Sequence, residues 1–409
     1  MVAWGGLALV LLWSFRAGEG AAFVYSTCKR GWEKLLKYEV SLAQPELRFA
    51  FSRPGLMTWK CPDGVPSPTQ INARNSWFSR SSGESLLSQA QSAADVLSVA
   101  RELKASQSPT VPLRLHCWAR EEEEGAELSE HPQVIEDRAA RTRRLRDDLL
   151  NTTEGAGLFH ADGDEARAGD VVLDVIVGEP TDKALAFVGF HKHAPEVRWT
   201  GFPNDCQRAE LPLEAPSRAY LKTEQAIRAL GLPVQAGQVA LEVGSAPGGS
   251  VLSLLNRGLS VVGVDPCPAD RTHSPVVAKN SKFHEIRLKL HQLGPQQLAA
   301  IPHPAVHWVL CDANIDAWEA APQIATVCQR LDQRSPGSLK GLIFTVKLGG
   351  PVFSKQPEQV LEYLDFVKEA VGKKSGWDPS TFVITSLPAN RQEVLLFAPS
   401  PNAGWTRKK

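Results

Sequence analysis

The second half of the chain alternates short apolar strands with helical stretches, and this order limits the possible folds more than any other feature. The clearest β-prone runs are residues 239–243, 260–264, 306–310 and 341–346, and stretches with helical spacing separate them. Strands that alternate with helices form mostly parallel sheets that are covered on both faces. The sequence therefore predicts a doubly wound α/β domain over residues 217–400.

The first half of the chain has a different pattern, and 409 residues are too many for one ordinary domain. From residue 23 the sequence shows a strand, a helix and two further strands. Apolar residues at helical spacing then predict a helix from about Glu84 to Lys104. This order is typical of an α+β domain, which we place at residues 23–110.

A second mixed segment covers residues 111–199. Two β-prone runs at 171–177 and 184–190 are joined by turn residues, so they predict a hairpin. Prolines, a glycine and acidic residues break every period in 200–216, which we interpret as a linker. Residues 401–409 form a short tail.

The N-terminal 22 residues are apolar and end near small residues, as a targeting segment does. The run 7–13 is too short to span a bilayer, so we expect no stable membrane insertion of the mature protein. We interpret residues 1–22 as a hydrophobic leader, either a signal or an organelle-targeting segment for a plastid or mitochondrion. An uncleaved anchor and a misassigned start codon are the alternatives, and without a working leader we expect a cytoplasmic protein.

Charge and cysteine usage exclude other classes of protein. Lysine plus arginine equals aspartate plus glutamate at 45 each, so the chain has no global basic field of the kind that strong nonspecific nucleic-acid binders carry. The seven cysteines are scattered without a CxxC pair or a Cys/His cluster at metal-ligand spacing. The sequence therefore predicts neither a disulfide framework nor a metal site.

A glycine-rich loop follows the strand 239–243, which contains Glu242. The loop reads Gly244-Ser245-Ala246-Pro247-Gly248-Gly249-Ser250 and leads into a helix. Glycines let a ligand approach the backbone, and the helix N-terminus offers unpaired N–H groups to an anionic end. Asp265 closes the next strand, where a carboxylate can accept hydrogen bonds from ribose hydroxyls. The spacing is not GxGxxG and no P-loop lysine follows, which disfavours dinucleotides and triphosphates.

This loop resembles the cofactor loop of FtsJ-type RNA 2′-O-methyltransferases, which implies a Rossmann-like class I methyltransferase domain that binds S-adenosylmethionine. The resemblance implies that Glu242, the loop residues 244–250, Asp265 and Asp312 bind the cofactor. It also extends to the run Ser217-Arg218-Ala219-Tyr220-Leu221-Lys222-Thr223-Glu224. In this family a Lys-Asp-Lys-Glu set is catalytic, and Lys222, Asp312, Lys347 and Glu393 fill its four positions in order.

Shorter matches upstream resemble the bacterial large-subunit rRNA cytidine 2′-O-methyltransferases of the RlmM type. These matches are the runs 28–34 and 215–218. The resemblance implies a ferredoxin-like domain at 23–110 and a THUMP-like RNA-binding domain at 111–199. It makes RNA the expected partner, with large-subunit rRNA as the favoured substrate, and leaves the oligomeric state open.

The reaction needs a base, because a ribose 2′-hydroxyl is a poor nucleophile. We give that role to Lys347, with its pKa lowered by Lys222, and expect Asp312 to orient it and Glu393 to hold Lys222 or the hydroxyl. One position departs from the family: the acidic residue expected to bind adenine falls near Arg287. Glu285 or a backbone group could replace it.

Three alternatives share parts of this pattern. An mRNA cap 2′-O-methyltransferase uses the same four residues on another RNA. A degenerate RNA-binding or ribosome-assembly protein would keep the fold without catalysis, but the intact Lys-Asp-Lys-Glu set disfavours it. A small-molecule or protein methyltransferase would need the loop and Asp265 but has no use for two lysines.

Overall fold

The computed structural model describes residues 22–62, 76–120, 132–179, 182–194, 201–203, 209–267, 272–348 and 355–405. Almost all of the leader, much of the linker and the end of the tail lie outside these residues, so those assignments stay predictions. Within the described residues, no helix combines the length and the apolar character needed to cross a bilayer.

The strands of residues 23–199 form one mixed seven-stranded sheet. Its strands are β1 Phe23–Thr27, β2 Arg48–Arg53, β3 Leu56–Lys60, β4 Ser82–Ala90, β5 Arg114–Ala119, β6 Val171–Val177 and β7 Ala186–Lys192. The order in the sheet is β2-β3-β1-β4-β7-β6-β5, and only β5 and β6 run parallel. The predicted hairpin of β6 and β7 is confirmed. Because β4 pairs with β7, the two α+β segments share one sheet, and the boundary at residue 110 stays a prediction.

In the described part of the chain, the helices that accompany this sheet are α1 Glu33–Ala43, α2 Ala93–Gln107, α3 Pro132–Leu150 and α4 Thr153–Leu158. The predicted helix from about Glu84 to Lys104 is confirmed from Ala93 onward, where α2 begins, but its predicted start is wrong because the residues up to Ala90 belong to β4. Ser92 caps α2 in a capping box with Asp95, which fixes its start. The residues of β4 have helical propensity, but pairing with β1 and β7 overrides it.

The predicted doubly wound domain is confirmed. Its strands are β8 Val239–Val243, β9 Ser260–Val264, β10 Phe283–Ile286, β11 Trp308–Cys311, β12 Gly341–Lys347, β13 Val383–Thr385 and β14 Glu393–Pro399. The order is β10-β9-β8-β11-β12-β14-β13, with β14 antiparallel to both of its neighbours. Its helices are α5 Ala219–Ala229, α6 Gly249–Asn256, α7 Pro275–Ala278, α8 Pro295–Ala299, α9 Ala317–Arg334 and α10 Pro357–Ser375.

The two faces of this sheet carry different helices. Helices α5 and α6 pack on one face, in a cluster that includes Ile227 and Leu254. Helices α9 and α10 pack on the other, in a cluster that also takes in Trp32 and Leu36 from the N-terminal unit. The N-terminal sheet and the α/β domain are therefore joined through a common apolar core.

Two buried cations of the N-terminal unit also hold the loop that precedes β14. Lys29 Nζ donates to the carbonyl of Arg391 at 2.5 Å, and an Arg80 guanidinium nitrogen donates to the carbonyl of Leu387 at 2.9 Å. Hydrogen bonds from charged donors are stronger than neutral ones. The N-terminal unit thus fixes the backbone immediately before Glu393.

A buried tyrosine crosses the N-terminal sheet. The Tyr25 hydroxyl on β1 donates to Asp174 Oδ2 on β6 at 2.6 Å, although two strands separate them. The ring passes over Gly83 and Gly189, where an added Cβ would collide with it or with adjacent backbone. The two glycines therefore clear the path of the tyrosine.

We predict that Gly189→Ala destabilises the protein by about 1–3 kcal/mol, the usual range for overpacking. A Cβ at this position would lie 2.7 Å from Glu84 O and 2.8 Å from Tyr25 Cδ1. Gly157→Ala is the matched control, because a Cβ there meets nothing within 4 Å and alanine favours the helix α4. Urea denaturation of both variants measures the effect, and equal stability of the two would contradict the packing described here.

Candidate active site

The catalytic edge forms where the strands of the α/β domain end. Asp312 directly follows β11, and Lys347 is the last residue of β12. Glu393 begins the antiparallel β14 and is the cross-strand partner of Lys347. Lys222 comes from α5 and reaches the same edge. The fold thus brings the four predicted residues together from four separate elements.

Both lysines share both carboxylates. Lys347 Nζ lies 2.8 Å from Asp312 Oδ1 and 2.5 Å from Glu393 Oε1. Lys222 Nζ lies 3.2 Å from Asp312 Oδ2 and 2.6 Å from Glu393 Oε2. Each side chain keeps less than a fifth of its area exposed, at 12–19%. Two cations and two anions therefore form a closed, largely buried network with no net charge.

The electrostatics of this network differ from our sequence hypothesis for Lys347. Burial disfavours the ammonium, but attraction and hydrogen bonds from Asp312 and Glu393 outweigh it and raise the pKa of Lys347 above 10.5. The prediction that Lys222 lowers this pKa below its ordinary value is therefore wrong. The sequence pointed to the neighbouring cation, but two anions lie closer.

The pKa values of Glu393 and Glu242 are shifted in opposite directions. Burial acts to raise the pKa of Glu393, but the charges of Lys222 and Lys347 overcome it and lower this pKa to about 2. Burial, helped by the charge of Asp312, raises the pKa of Glu242 to about 8. Glu242 is fully buried and accepts a hydrogen bond from Ser250 Oγ at 2.9 Å. We infer that Glu242 is neutral at pH 7.

The glycine-rich loop adopts a left-handed backbone conformation, which favours glycine, at two positions. Gly244 and Gly248 have φ of +81° and +113°. An added Cβ would lie 2.5 Å from Ala313 Cα at Gly244, 2.7 Å from Val277 Cγ2 at Gly248 and 2.6 Å from Ser217 O at Gly249. The loop is therefore packed from behind, and its open side faces a cleft.

This cleft has a volume of about 400 Å³. Its walls are Ser217, Arg218, Ala219, Lys222, Gly244, Ser245, Ala246, Pro247, Gly248, Gly249, Ser250, Asp312, Ala389 and Arg391. All seven predicted loop residues line it, together with two members of the Lys-Asp-Lys-Glu set. Sequence reasoning missed Ala389 and Arg391, because they belong to the loop that the N-terminal unit holds.

Two predicted cofactor residues lie outside this lining. Glu242 is beneath the loop, where it holds Ser250. Asp265 is almost fully buried and accepts backbone N–H groups of Ala246 at 3.2 Å and Cys267 at 2.9 Å. Their contact with a cofactor stays a prediction, and in this structure both shape the loop from inside.

The uncertain adenine position contains a compact polar cluster. Glu285 Oε1 accepts from the Cys267 thiol at 3.3 Å and lies 2.8 Å from His273 Nδ1. Its other oxygen accepts from Arg287 Nε at 2.8 Å. His273 Nε2 is 2.9 Å from Ser245 Oγ in the loop. Arg287 is largely exposed, so Glu285 is the acidic group that faces the loop side.

The last acidic residue of the α5 motif has a structural role. Glu224 is bound by Arg257 Nε at 2.8 Å, by Ser253 Oγ at 2.8 Å and by Arg228. These contacts tie α5 to α6, so the helix that carries Lys222 is fixed to the helix that begins at the glycine-rich loop.

Family comparison agrees with this geometry. Residues 215–353 match the family model described as FtsJ-like methyltransferase. The matched residues contain the glycine-rich loop, three of the four catalytic candidates and strands β8 to β12. Residues 215–353 are therefore similar to an FtsJ-like methyltransferase domain, as the resemblance in the sequence predicts.

More particular relatives bear the name ribosomal RNA large subunit methyltransferase M. The protein of this name from Thauera aminoaromatica is 26% identical over 261 residues, which are 62% of this chain and 63% of the relative. The one from Laribacter hongkongensis is 27% identical and is matched over 52% of this chain and 56% of its own length. The match thus spans about three fifths of these relatives.

Solved structures resemble the chain only loosely. The alignment with the crystal structure of TrmN from Thermus thermophilus covers 92% of this chain and 99% of the TrmN chain, with 13% sequence identity and a TM-score of 0.30. A superposition this loose supports no conclusion about function.

We predict that Glu393 stabilises the fold in a pH-dependent way. Its pKa of about 2 in the folded protein lies below the ordinary 4.5, so its contribution is present above pH 4.5 and is lost as the pH falls toward 2. The difference in free energy of unfolding between the protein and Glu393→Gln should therefore shrink across this interval. Urea denaturation at a series of pH values measures it.

The control for this prediction removes the two cations. The control compares Glu393 with Glu393→Gln in a chain that also carries Lys222→Met and Lys347→Met. There the difference in free energy of unfolding should no longer depend on pH in this range, because both lysines that lower the pKa of Glu393 are gone. A difference that stays constant from pH 6 to pH 2 in the unmodified background would contradict the assignment.

Proposed function

We propose that the protein transfers a methyl group from S-adenosylmethionine to a ribose 2′-hydroxyl of RNA, with large-subunit rRNA as the substrate. The observation that carries this proposal is the closed network of Lys222, Asp312, Lys347 and Glu393 at the mouth of a glycine-lined cleft. The names of the relatives from Thauera and Laribacter support the choice of rRNA.

The residues of the cleft fit S-adenosylmethionine. The N-terminus of α6 opens into it at Gly248 and suits a carboxylate, while Asp312 supplies a negative charge for a sulfonium. Ser217 Oγ is buried against the cleft and has no hydrogen-bond partner among the residues that the structure describes. A ligand with hydroxyl or amino groups would satisfy it.

When bound, the cofactor supplies an electrophilic methyl group on a positively charged sulfur. The protein's own residues must then position a hydroxyl and accept its proton. Both lysines lie between Asp312 and Glu393. Lys347 is the base in this proposal, because it is the last residue of the rigid strand β12. Lys222 holds the opposite oxygens of both carboxylates and so keeps them in place.

The raised pKa of Lys347 sets a condition on this mechanism. An ammonium cannot accept a proton, so the resting network must give up one proton before transfer. A cation that arrives near Asp312 weakens the attraction that keeps Lys347 protonated. We therefore expect cofactor binding to move the pKa of Lys347 downward.

The N-terminal unit offers a surface suited to RNA. Phe49 and Phe51 on β2 remain 41% and 43% exposed. Lys37 Nζ lies 3.9 Å from the ring centre of Phe49, and the Arg53 guanidinium lies 5.4 Å from that of Phe51. Exposed aromatic rings with adjacent cations bind unpaired bases by stacking and phosphates by charge. A local basic face of this kind is compatible with zero net charge.

We predict that Gly248→Ala weakens S-adenosylmethionine binding at least about tenfold, because the new Cβ strains the positive φ and pushes into Val277. Gly376→Ala is the matched control: Gly376 also has positive φ, at +76°, but lies in open space at the end of α10. Calorimetry should show normal affinity in the control, and equal affinity in both variants would remove the cofactor assignment.

We predict that Lys347→Met and Lys347→Arg both lose methyl transfer by at least about a hundredfold, since neither side chain can serve as the base. Cofactor affinity should change little, because Lys347 does not line the cleft. The measurement is single-turnover methylation of rRNA fragments, with the modified position identified by mass spectrometry of nuclease-resistant dinucleotides.

The pH dependence of the rate gives the matched controls. The rate of the unmodified protein should rise with pH until Lys347 loses its proton. Glu393→Gln should move that inflection down, because it removes an anion that raises the pKa of Lys347. Lys222→Met should move it up, because it removes a competing cation. Substantial activity of Lys347→Met, or a methyl group on a base, would overturn the mechanism.

A further inference from the structure

The core of the N-terminal sheet contains a polar cluster that the methyltransferase chemistry does not use. His116 on β5, Asp174 on β6 and His191 on β7 have side chains that are at most 1% exposed. His116 and Asp174 are direct neighbours in the sheet register. One possible ligand atom from each residue lies within 4.8 Å of the other two.

The hydrogen bonds of this cluster leave two acceptors facing each other. His116 Nε2 lies 2.8 Å from the carbonyl oxygen of Asp164, and because a carbonyl only accepts, this nitrogen carries the proton. In this tautomer of the imidazole, Nδ1 carries a lone pair and no proton. That lone pair faces Asp174 Oδ1 at 3.7 Å, which is beyond hydrogen-bond reach.

Asp174 Oδ1 is itself fully buried and accepts no hydrogen bond from any residue that the structure describes. Two lone pairs that face each other away from water are costly unless a cation lies between them. A metal ion bound between Nδ1 and Oδ1 would accept both lone pairs. Ligand atoms at about 2.0–2.2 Å from one Zn²⁺ lie about 3–3.5 Å apart, close to the observed 3.7 Å.

The surroundings also have the form of a metal site. A histidine that binds a metal usually donates its other N–H to a backbone carbonyl or carboxylate, as His116 does to Asp164 O. The second oxygen of Asp174 accepts a hydrogen bond from the Tyr25 hydroxyl at 2.6 Å, and His191 Nδ1 lies 2.5 Å from the same oxygen. Gly83 and Gly189 make room for Tyr25 to reach it.

We propose that His116, Asp174 and His191 bind one structural divalent transition-metal ion, with Zn²⁺ as the ion that two imidazoles and a carboxylate favour. The ion joins β5, β6 and β7, and through Asp174 it also holds the tyrosine of β1. The site is closed to solvent, so the metal enters during folding. This site is independent of the proposed RNA methylation.

The first test measures metal content in the full-length, untagged chain prepared without chelators. We expect about one equivalent of zinc by mass spectrometry of the metal, and less than about a tenth of an equivalent in Asp174→Asn and His116→Gln. His160→Gln is the matched control, because His160 lies in the same unit but outside the cluster. This control should keep the metal.

The cluster of Cys267, His273 and Glu285 is the rival site. Its groups already satisfy one another, since the thiol and the imidazole both pair with Glu285. Cys267→Ser should therefore leave the metal in place. Loss of zinc in Cys267→Ser with retention in Asp174→Asn would move the metal to the rival site and overturn the proposal.

A second test does not depend on whether the variants fold. The unmodified chain is unfolded with a chelator, refolded, and titrated with Co²⁺ during refolding. We expect visible d–d bands that saturate at about one equivalent without a thiolate charge-transfer band, together with a rise in the melting temperature. A chain that refolds to full stability and takes up neither Co²⁺ nor Zn²⁺ would show that the cluster is a hydrogen-bonded network only.

Discussion

The neutral network of two lysines and two carboxylates determines how the catalytic edge is built. A single ammonium or carboxylate at this depth would be costly, and removal of any member leaves an uncompensated charge among the others. Each member comes from a different element, so the network also fixes the positions of α5, β11, β12 and β14 relative to one another. Stability and the proposed catalysis would thus depend on the same four side chains.

The N-terminal unit supports the candidate active site, although none of its described residues lines the cleft. Lys29 and Arg80 bind the carbonyls of Arg391 and Leu387, and that loop leads directly into Glu393. A change in the N-terminal unit would therefore be transmitted to the carboxylate that both catalytic lysines share. The proposed RNA surface in one half of the chain and the proposed catalytic residues in the other are connected through this loop.

The sequence predicted the fold well where its signals are local. Alternating strands and helices gave the doubly wound domain, and the glycine-rich loop gave its ligand edge. The strand β4 was missed because its residues have helical propensity and only pairing with distant strands makes them extended. The raised pKa of Lys347 was missed for a related reason, because its sign depends on two carboxylates that the sequence does not show to be closer than Lys222.

Sites formed by residues from different strands cannot be recognised from the spacing of residues in the sequence. No short metal-binding pattern includes His116, Asp174 and His191, because cross-strand register rather than sequence distance brings them together. The same holds for Tyr25, which reaches Asp174 across two intervening strands. Residues of this kind become candidates only after the order of the strands is known.

The pairing of β4 with β7 has a consequence for how such a chain can evolve. It inserts the segment that follows residue 110 into the same sheet as the segment that precedes it. Recombination at that boundary would expose the backbone groups of two strands at once and invite pairing with other chains. Each segment therefore needs the other to complete its sheet, even though each has the element composition of an independent domain.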